Sequence, residues 1–479
     1  MGRRTKIIAT IGPASEDEAT LRNLVRAGMD VARLGLAHGT LDEAAERLTA
    51  IRRIAAEEGR PVGILVDLPG PKVRAASFGD DSVAIVEKSE VRLTVGSGNS
   101  TASVMEVDYE SLLSDVLVGD RLSIGDGRVI LEVSEVGGDQ LLAKVMHGGF
   151  LSGRPGVHVP SERLSITAPT IEDLSSLERF MELDVDMVAV SFVRSAEDLM
   201  RLPVEPHPTG PLVVAKIETR AAIDNLPGII GASGAIMVAR GDLGNECRLE
   251  ELPILQKEII RRCIALGRPA ITATQMLETM ITNPEPTRAE VSDVANAVWD
   301  GSSAVMLSGE TAVGSDPANV VATMSRIAER ADDEFDHRSW ASELSDLRLT
   351  NRGEPDSAIT DAMTMAAARA LTELSVRTVL CISGSGFTVR SMARFRPEAS
   401  ILGFSANRRT VGQLTLSWGT EPLHLPEEES IEERVTSAIA TARDAGHVEP
   451  GELVAVLAGT NVRSRSTNVL RLELVSPAA

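Results

Sequence analysis

Lys216 and Glu218 close the run Val213-Val-Ala-Lys-Ile-Glu218, whose apolar, β-branched residues read as a buried strand. Side chains alternate along a strand, so this ammonium and carboxylate face one space. A second apolar run, Ala235 to Ala239, ends in Arg240-Gly241-Asp242. The separation of the two runs fits one strand-helix-strand unit of ~30 residues. Carboxylates brought by neighbouring strands to one end of a sheet suit a hard dication. An ordinary strand-end ion pair would look the same in isolation, so the surrounding elements decide.

Those elements alternate. Lys6 to Ile11 reads as a strand, Ser15-Glu-Asp-Glu18 as a capping box, and Gly28 as the stop of the helix that follows. Val31 to Leu36 is the next strand, Thr40-Leu-Asp-Glu43 caps a second helix, and Val62 to Asp67 is a third strand. From about Val73 to Ser165 the rhythm changes to short alternating runs such as Val91 to Val95 and Arg128 to Val133, separated by Gly and Asp turns. The strand-helix alternation resumes with Asp186 to Ser191, Leu212 to Lys216, Ala235 to Ala239, Pro269 to Thr274 and Ser303 to Leu307. Eight such units predict a TIM (β/α)8 barrel, whose active site lies at the C-terminal ends of its strands. Arg33, Asp67, Lys216, Glu218, Asp242, Thr274 and Glu310 all fall there.

The expected fold class is therefore α/β, with barrel segments 1–72 and 169–340, an inserted β domain at 73–168 and a C-terminal α/β domain at 355–479. The polar stretch Asp333 to Glu354 reads as a linker. Beyond it come a helix at Ala358 to Leu374, a strand at Val379 to Ile382, and strands near Ile401, Leu453 and Leu470. The 479 residues carry a formal charge of −21, which disfavours nucleic acid and anionic membranes as partners. Three scattered cysteines and the absence of a long apolar run or signal-like N-terminus lead to the expectation of a soluble cytoplasmic protein.

With these segments placed, the chain resembles the pyruvate kinase family. The resemblance rests on Thr5 to Ser15, Gly70-Pro71, Lys216-Ile-Glu218, Ile236 to Gly244, Ala273-Thr-Gln-Met-Leu-Glu278, Pro286 to Glu290, Ser292 to Ala297 and Met306 to Thr311. It implies a barrel with a β-barrel lid inserted after the third strand and a C-terminal α/β domain. It also implies transfer of phosphoryl from phosphoenolpyruvate to ADP, giving pyruvate and ATP, with magnesium or its substitute manganese, in a homotetramer. By the same resemblance Arg33 would hold the phosphoryl group, Arg74 would contact phosphates, and Lys216 would offset charge on the enolate. Glu218 and Asp242 would bind the metal. The N–H groups of Gly241 and Asp242, with the Thr274 hydroxyl, would receive the substrate carboxylate, and Thr274 stands where enolate protonation is linked. His38 and Arg154 would face the nucleotide.

The sequence departs from the family at one cluster. Where members usually read Arg-x-Asn-x-Ser-His-Gly, this chain has Arg33-Leu-Gly35-Leu-Ala37-His38-Gly39; where many have Asp-Thr-Lys-Gly-Pro-Glu, it has Asp67-Leu-Pro-Gly-Pro-Lys72. The resemblance implies that Asn, Ser and Thr oxygens for potassium have become Gly35, Ala37 and Leu68, while an ammonium arrives at Lys72. The expectation is that Lys72 joins the catalytic set and potassium is not required. In the C-terminal domain, the turn Ser383-Gly-Ser-Gly-Phe-Thr388 and Arg463 and Arg465 are candidates for a phosphorylated effector. A second reading is a catalytically altered paralogue that acts on a related enol phosphate or serves as a regulatory subunit. A lyase or aldolase barrel could also use a Glu/Asp magnesium site, but would leave Arg33, Arg74 and Lys216 with no phosphoryl group to hold.

Overall fold

The computed structural model describes residues 2–125, 127–350, 355–460 and 467–476. Eight parallel strands close a barrel in chain order: Lys6–Thr10, Val31–Gly35, Gly63–Leu68, Met187–Val190, Leu212–Ile217, Ala235–Ala239, Ala270–Ala273 and Ala304–Leu307. Lys6 pairs with Ala304 where the first and eighth strands meet. Alternation sorts the side chains into two layers. Ile8, Leu65, Val214, Met237 and Ile271 form the inner cluster, whereas Ile7, Ile64, Val66, Leu68 and Ile217 join the cluster beneath the surrounding helices.

Local signals set the helix starts. Thr40 and Glu43 form the expected reciprocal cap, and Gly28 ends the first helix at φ +117°. The cap of that first helix is Asp17 rather than Ser15: the Asp17 carboxylate accepts from the N–H groups of Ala19 and Thr20, at 3.1 and 3.0 Å. The Ser15 hydroxyl is turned back to accept from Gly12 N–H at 3.1 Å.

The inserted domain lies between the third strand and the helix Ile171–Glu182, so it emerges from the C-terminal end of the barrel. It folds as a six-stranded sheet and a two-stranded ribbon around a core of its own that includes Val91, Leu93, Leu122, Leu131 and Val145. Its returning segment is pinned beside the site. Ser161 donates to Glu246 from its N–H at 3.0 Å and its hydroxyl at 2.7 Å, and His158 Nε2 lies 3.0 Å from the same carboxylate.

The stretch read as a linker carries a helix, His337–Thr350. Its start is capped by Asp336, which accepts from Ser339, and its Trp340 indole donates to Arg394 O at 2.8 Å. Trp340 and the buried Leu344, one helical turn apart, anchor the helix behind this cap, and with Leu347 they form an apolar i, i+4, i+7 spacing that the polar surroundings obscured. The C-terminal domain is a five-stranded sheet in the order Thr420–His424, Ser400–Ser405, Thr378–Ile382, Leu453–Ala458 and Val469–Leu474, with only the last strand antiparallel. Arg463 and Arg465 lie outside the described residues. Among the described residues no helix is long and apolar enough to cross a membrane.

Candidate active site at the barrel mouth

The fifth strand delivers Lys216, and Glu218 follows directly after it. The Lys216 ammonium lies 2.8 Å from Glu218 Oε1 and 3.5 Å from Asp67 Oδ1, and donates to Ser191 Oγ at 2.7 Å. Asp67, from the third strand, also accepts from Arg33 Nε at 2.7 Å. Arg33 Nη1 donates to Thr10 Oγ1 at 3.0 Å. The guanidinium is thus fixed on one edge, and its Nη2 has no hydrogen-bond partner among the described residues. Four strands therefore converge on one ionic network whose geometry the barrel holds rigid.

Charges in this network are unevenly matched. Burial works against the charge of Lys216, but Asp67 and Glu218 outweigh it and raise the ammonium pKa. Burial likewise opposes Asp67, which Lys216 and then Arg33 hold below the ordinary carboxylate value. Glu218 moves the other way: burial raises it, Asp242 adds like-charge repulsion, and Lys216 only partly compensates. Both pKa values of this 2.8 Å pair rise, which favours the charged form of Lys216 and disfavours that of Glu218, and the contrast follows from partner number. Lys216 has two carboxylates, whereas Glu218 has one cation and an acidic neighbour. Glu218 Oε2 accepts from Phe192 N–H at 2.7 Å, while the buried Oε1, although close to Lys216, lies off the hydrogen-bonding direction and has no donor.

Asp242 stands in the helix Arg240–Glu246 that opens directly from the sixth strand. Its carboxylate has no hydrogen bond or ion pair among the described residues. An orphaned carboxylate oxygen on Glu218 beside the unpaired carboxylate of Asp242 fits a divalent cation. No cluster of three or more His, Cys, Asp or Glu suited to a metal occurs among the described residues. That donor set matches magnesium, which keeps waters and substrate oxygens around one or two protein carboxylates.

Thr274 is strained. It has φ +68°, and Gln275 follows at +52°. A β-branched residue in the left-handed region costs of order 1–3 kcal/mol and persists only where its neighbours enforce it. Arg240 enforces it here, donating from Nη2 to Thr274 O at 2.7 Å while its Nη1 grips both oxygens of Asp293 at 2.8 and 2.7 Å. Gly241 N–H donates to Thr274 Oγ1 at 2.8 Å. The hydroxyl thus already joins Gly241, and a carboxylate arriving here would share or replace that contact.

The remaining candidates ring the mouth. Lys72 follows a turn at Gly70, which has φ +68° and a Cβ direction only 3.0 Å from Ser191 and Phe192, so no larger residue fits without a shift. The Lys72 side chain keeps contact with solvent and makes no ion pair among the described residues. The surrounding protein lowers its pKa, as does Lys216; Asp242 and Glu218 oppose. His38 is exposed and is held below its ordinary value by the surrounding protein and then by Lys72, Arg74 and Arg33. Arg74 donates to Arg154 O at 3.2 Å, whereas the Arg154 guanidinium turns to Asp108 at 2.8 Å, within the lid. Arg33, Lys72, Arg74, Lys216 and His38 therefore share one field, and Arg154 borders it through its backbone.

The family model described as "Pyruvate kinase, barrel domain" matches residues 2–321, and "Pyruvate kinase, alpha/beta domain" matches 361–473. The chain belongs to the pyruvate kinase family. It is 37% identical to the pyruvate kinase of Geobacillus stearothermophilus over 482 residues, covering 99% of this chain and 81% of the relative. Identity to the Bacillus licheniformis pyruvate kinase is 37% over 478 residues, and to that of Staphylococcus aureus (strain USA300) 35% over 478 residues. Each alignment covers 99% of this chain and 80% of the relative.

Within the pyruvate kinase family pattern, one inference about the altered cluster needs correction. Leu68 is fully buried in the layer beneath the helices, one residue out of phase with Asp67. A side-chain oxygen at position 68 would point away from the mouth, so only the losses at 35 and 37 remove side-chain oxygens from it. The Gly35 backbone leaves room: a Cβ there would meet nothing nearer than Arg33 at 3.7 Å. Crowding does not force the glycine. Ser191, Arg240 and Asp293 escaped the sequence reading. Ser191 directly follows a barrel strand, and the strand-end rule that selected Asp67 applies to it equally.

Proposed function

We propose that this chain transfers the phosphoryl group of phosphoenolpyruvate to ADP with magnesium, giving pyruvate and ATP, and that it does so without potassium. The observation that carries this reading is the juxtaposition of an anchored Arg33, a Lys216 buried between two carboxylates, and a metal-suited Glu218–Asp242 pair at one barrel mouth. Phosphoryl transfer asks a protein chiefly for positioning and positive charge.

Arg33, tied at Nε and Nη1, offers Nη2 to the oxygens of the transferred group. Arg74 bridges donor and acceptor phosphates, with His38 on the nucleotide side; Arg154 reaches the nucleotide by leaving Asp108. A β-phosphate oxygen of ADP attacks phosphorus, the bond from phosphorus to the enol oxygen breaks, and Lys216 holds the charge left on that oxygen. Asp242 N–H and the Thr274 hydroxyl orient the substrate carboxylate, and a proton added to the methylene carbon completes pyruvate. Magnesium held by Glu218 and Asp242 would neutralise phosphoryl and substrate oxygens when bound. Lys72 supplies the monovalent charge that the oxygens missing at 35 and 37 would otherwise recruit.

A coupled assay with phosphoenolpyruvate, ADP and magnesium, in sodium-only and in potassium buffer, tests both parts. Equal turnover in the two buffers is expected. Turnover that needs potassium overturns the role of Lys72 alone; absence of turnover in both overturns the catalytic reading.

A further inference from the structure

Away from the mouth, at the opposite end of the barrel, the C-terminal domain packs its helix Phe387–Ala393 against the turn that precedes the seventh strand. A cavity of about 20 Å³ lies in this junction, walled in part by Arg268, Arg390, Arg394, Arg396 and Ser417. Four guanidinium groups and no carboxylate line it. Arg390 is only 3% exposed, and of its three nitrogens only Nη2 is bonded, to Ser385 O at 2.9 Å. Its Nε and Nη1 are buried without partners, as are Arg394 Nε and the hydroxyls of Ser391 and Ser417. Arg394 Nη1 and Ser391 Oγ both approach Gly267, at 3.7 and 3.9 Å from its Cβ direction, so this polar edge faces the barrel turn.

An isolated buried cation is costly unless an opposite charge accompanies it. Asp361 is engaged by Arg394 Nη2 and Asp332 acts on Arg396, whereas Arg390 has no ion pair among the described residues. The unpartnered nitrogens are donors only, and the two hydroxyls can rotate to donate. A water molecule would have to donate as well as accept, whereas an anion only accepts. The volume of about 20 Å³ suits a small monatomic anion better than phosphate. We propose that this arginine-lined cavity is a halide site, occupied by chloride, that joins the barrel to the C-terminal domain.

Thermal unfolding of the full chain, in sodium chloride against sodium gluconate at constant ionic strength, tests it. Wild type is expected to gain roughly 1 to 3 °C as chloride replaces gluconate. Arg390→Met should abolish the chloride-dependent gain and be no less stable than wild type in gluconate, because it removes an unaccompanied charge; a merely structural arginine would lose stability in both salts. An equal gain in variant and wild type, or no gain in wild type, overturns the proposal. If Arg390→Met does not fold, Arg390→Lys, with its charge but fewer donors, should raise the half-saturating chloride concentration roughly tenfold, and an unchanged value overturns the site. Crystals grown in sodium bromide supply a direct readout: an anomalous peak beside Arg390 Nε and Nη1 supports the proposal, and water or nothing there refutes it.

Discussion

Replacing Lys72 by methionine isolates the charge on which the potassium argument rests. The ammonium carries no ion pair among the described residues, and the charges that act on it are those of Lys216, Asp242, Arg74 and Glu218. Its removal changes the field at the mouth without leaving a partner orphaned. Two unit charges ~4 Å apart interact by ~4 kcal/mol at an effective dielectric of 20 and ~1 kcal/mol in water. Lys72 is exposed, so an intermediate dielectric of about 40 is appropriate, which gives about 2 kcal/mol. Felt only in the transition state, that is a loss of about 30-fold in kcat. Lys72→Glu reverses the charge and doubles the effect, to about three orders of magnitude. Steady-state assays in sodium and potassium buffers measure both. Potassium should not rescue Lys72→Met, because Gly35 and Ala37 offer no side-chain oxygen to hold it. A loss smaller than about threefold in Lys72→Met would show that the ammonium lies too far from the moving phosphate to matter. Full rescue by potassium would show that an alkali cation still binds, and the inference from positions 35 and 37 would fail.

Other perturbations reach different parts of the same network. Glu218→Gln keeps the shape but removes one metal-suited carboxylate, and should weaken magnesium activation by roughly two orders of magnitude or more, read from the magnesium dependence of turnover. Arg240→Met releases the strained carbonyl of Thr274, so kcat should fall by roughly tenfold or more with a smaller change in thermal midpoint; equal loss of stability and activity would mean Arg240 only braces the fold. Arg396 is boxed by Phe335, Trp340 and Trp418 at 4.7, 5.3 and 4.9 Å and donates to Val298 O and Ser302 O, so Arg396→Met should cost about 3 kcal/mol or more in urea unfolding. Burial raises the Asp186 carboxyl from 3.8 to about 6. The folded state therefore holds that proton more tightly, and this group's contribution is greatest below about pH 4, declines as pH rises towards 6, and is constant above. Asp186→Asn should remove that decline, worth roughly 3 kcal/mol at most, in unfolding free energies measured across the same range.

What could be read from the chain was what depends on local period and order. Strand alternation, Gly28 as a stop and the Thr40–Glu43 cap are encoded within a few residues, so the barrel and the strand-end positions of Lys216, Glu218 and Asp67 were legible. Position 68 shows the limit of reading by motif. A family pattern says which residue replaced which, but the period-2 rule already present in the sequence says which way each one faces. Applied to Asp67 and Leu68, it puts one at the mouth and the other under the helices. The helix His337–Thr350 was missed although Trp340, Leu344 and Leu347 recur at i, i+4 and i+7: the polar residues around them hid the period, and the Trp340 partner, Arg394 O, lies in a distant part of the chain.

The same distinction separates the two arginine clusters. At the mouth Arg33 and Lys216 were legible because each sits at a strand end, and the structure matches them with Asp67 and Glu218. In the junction below, Arg390, Arg394 and Arg396 lie on and just beyond one short helix and look like ordinary surface charge in sequence. Only the packing of the C-terminal domain onto Gly267 and Arg268 buries them together without a carboxylate in the cavity wall. Arg268 leads into the strand Ala270–Ala273, whose far end positions Thr274. Ser303, on the same cavity wall, leads into the strand Ala304–Leu307, so two barrel strands run from the domain junction to the mouth.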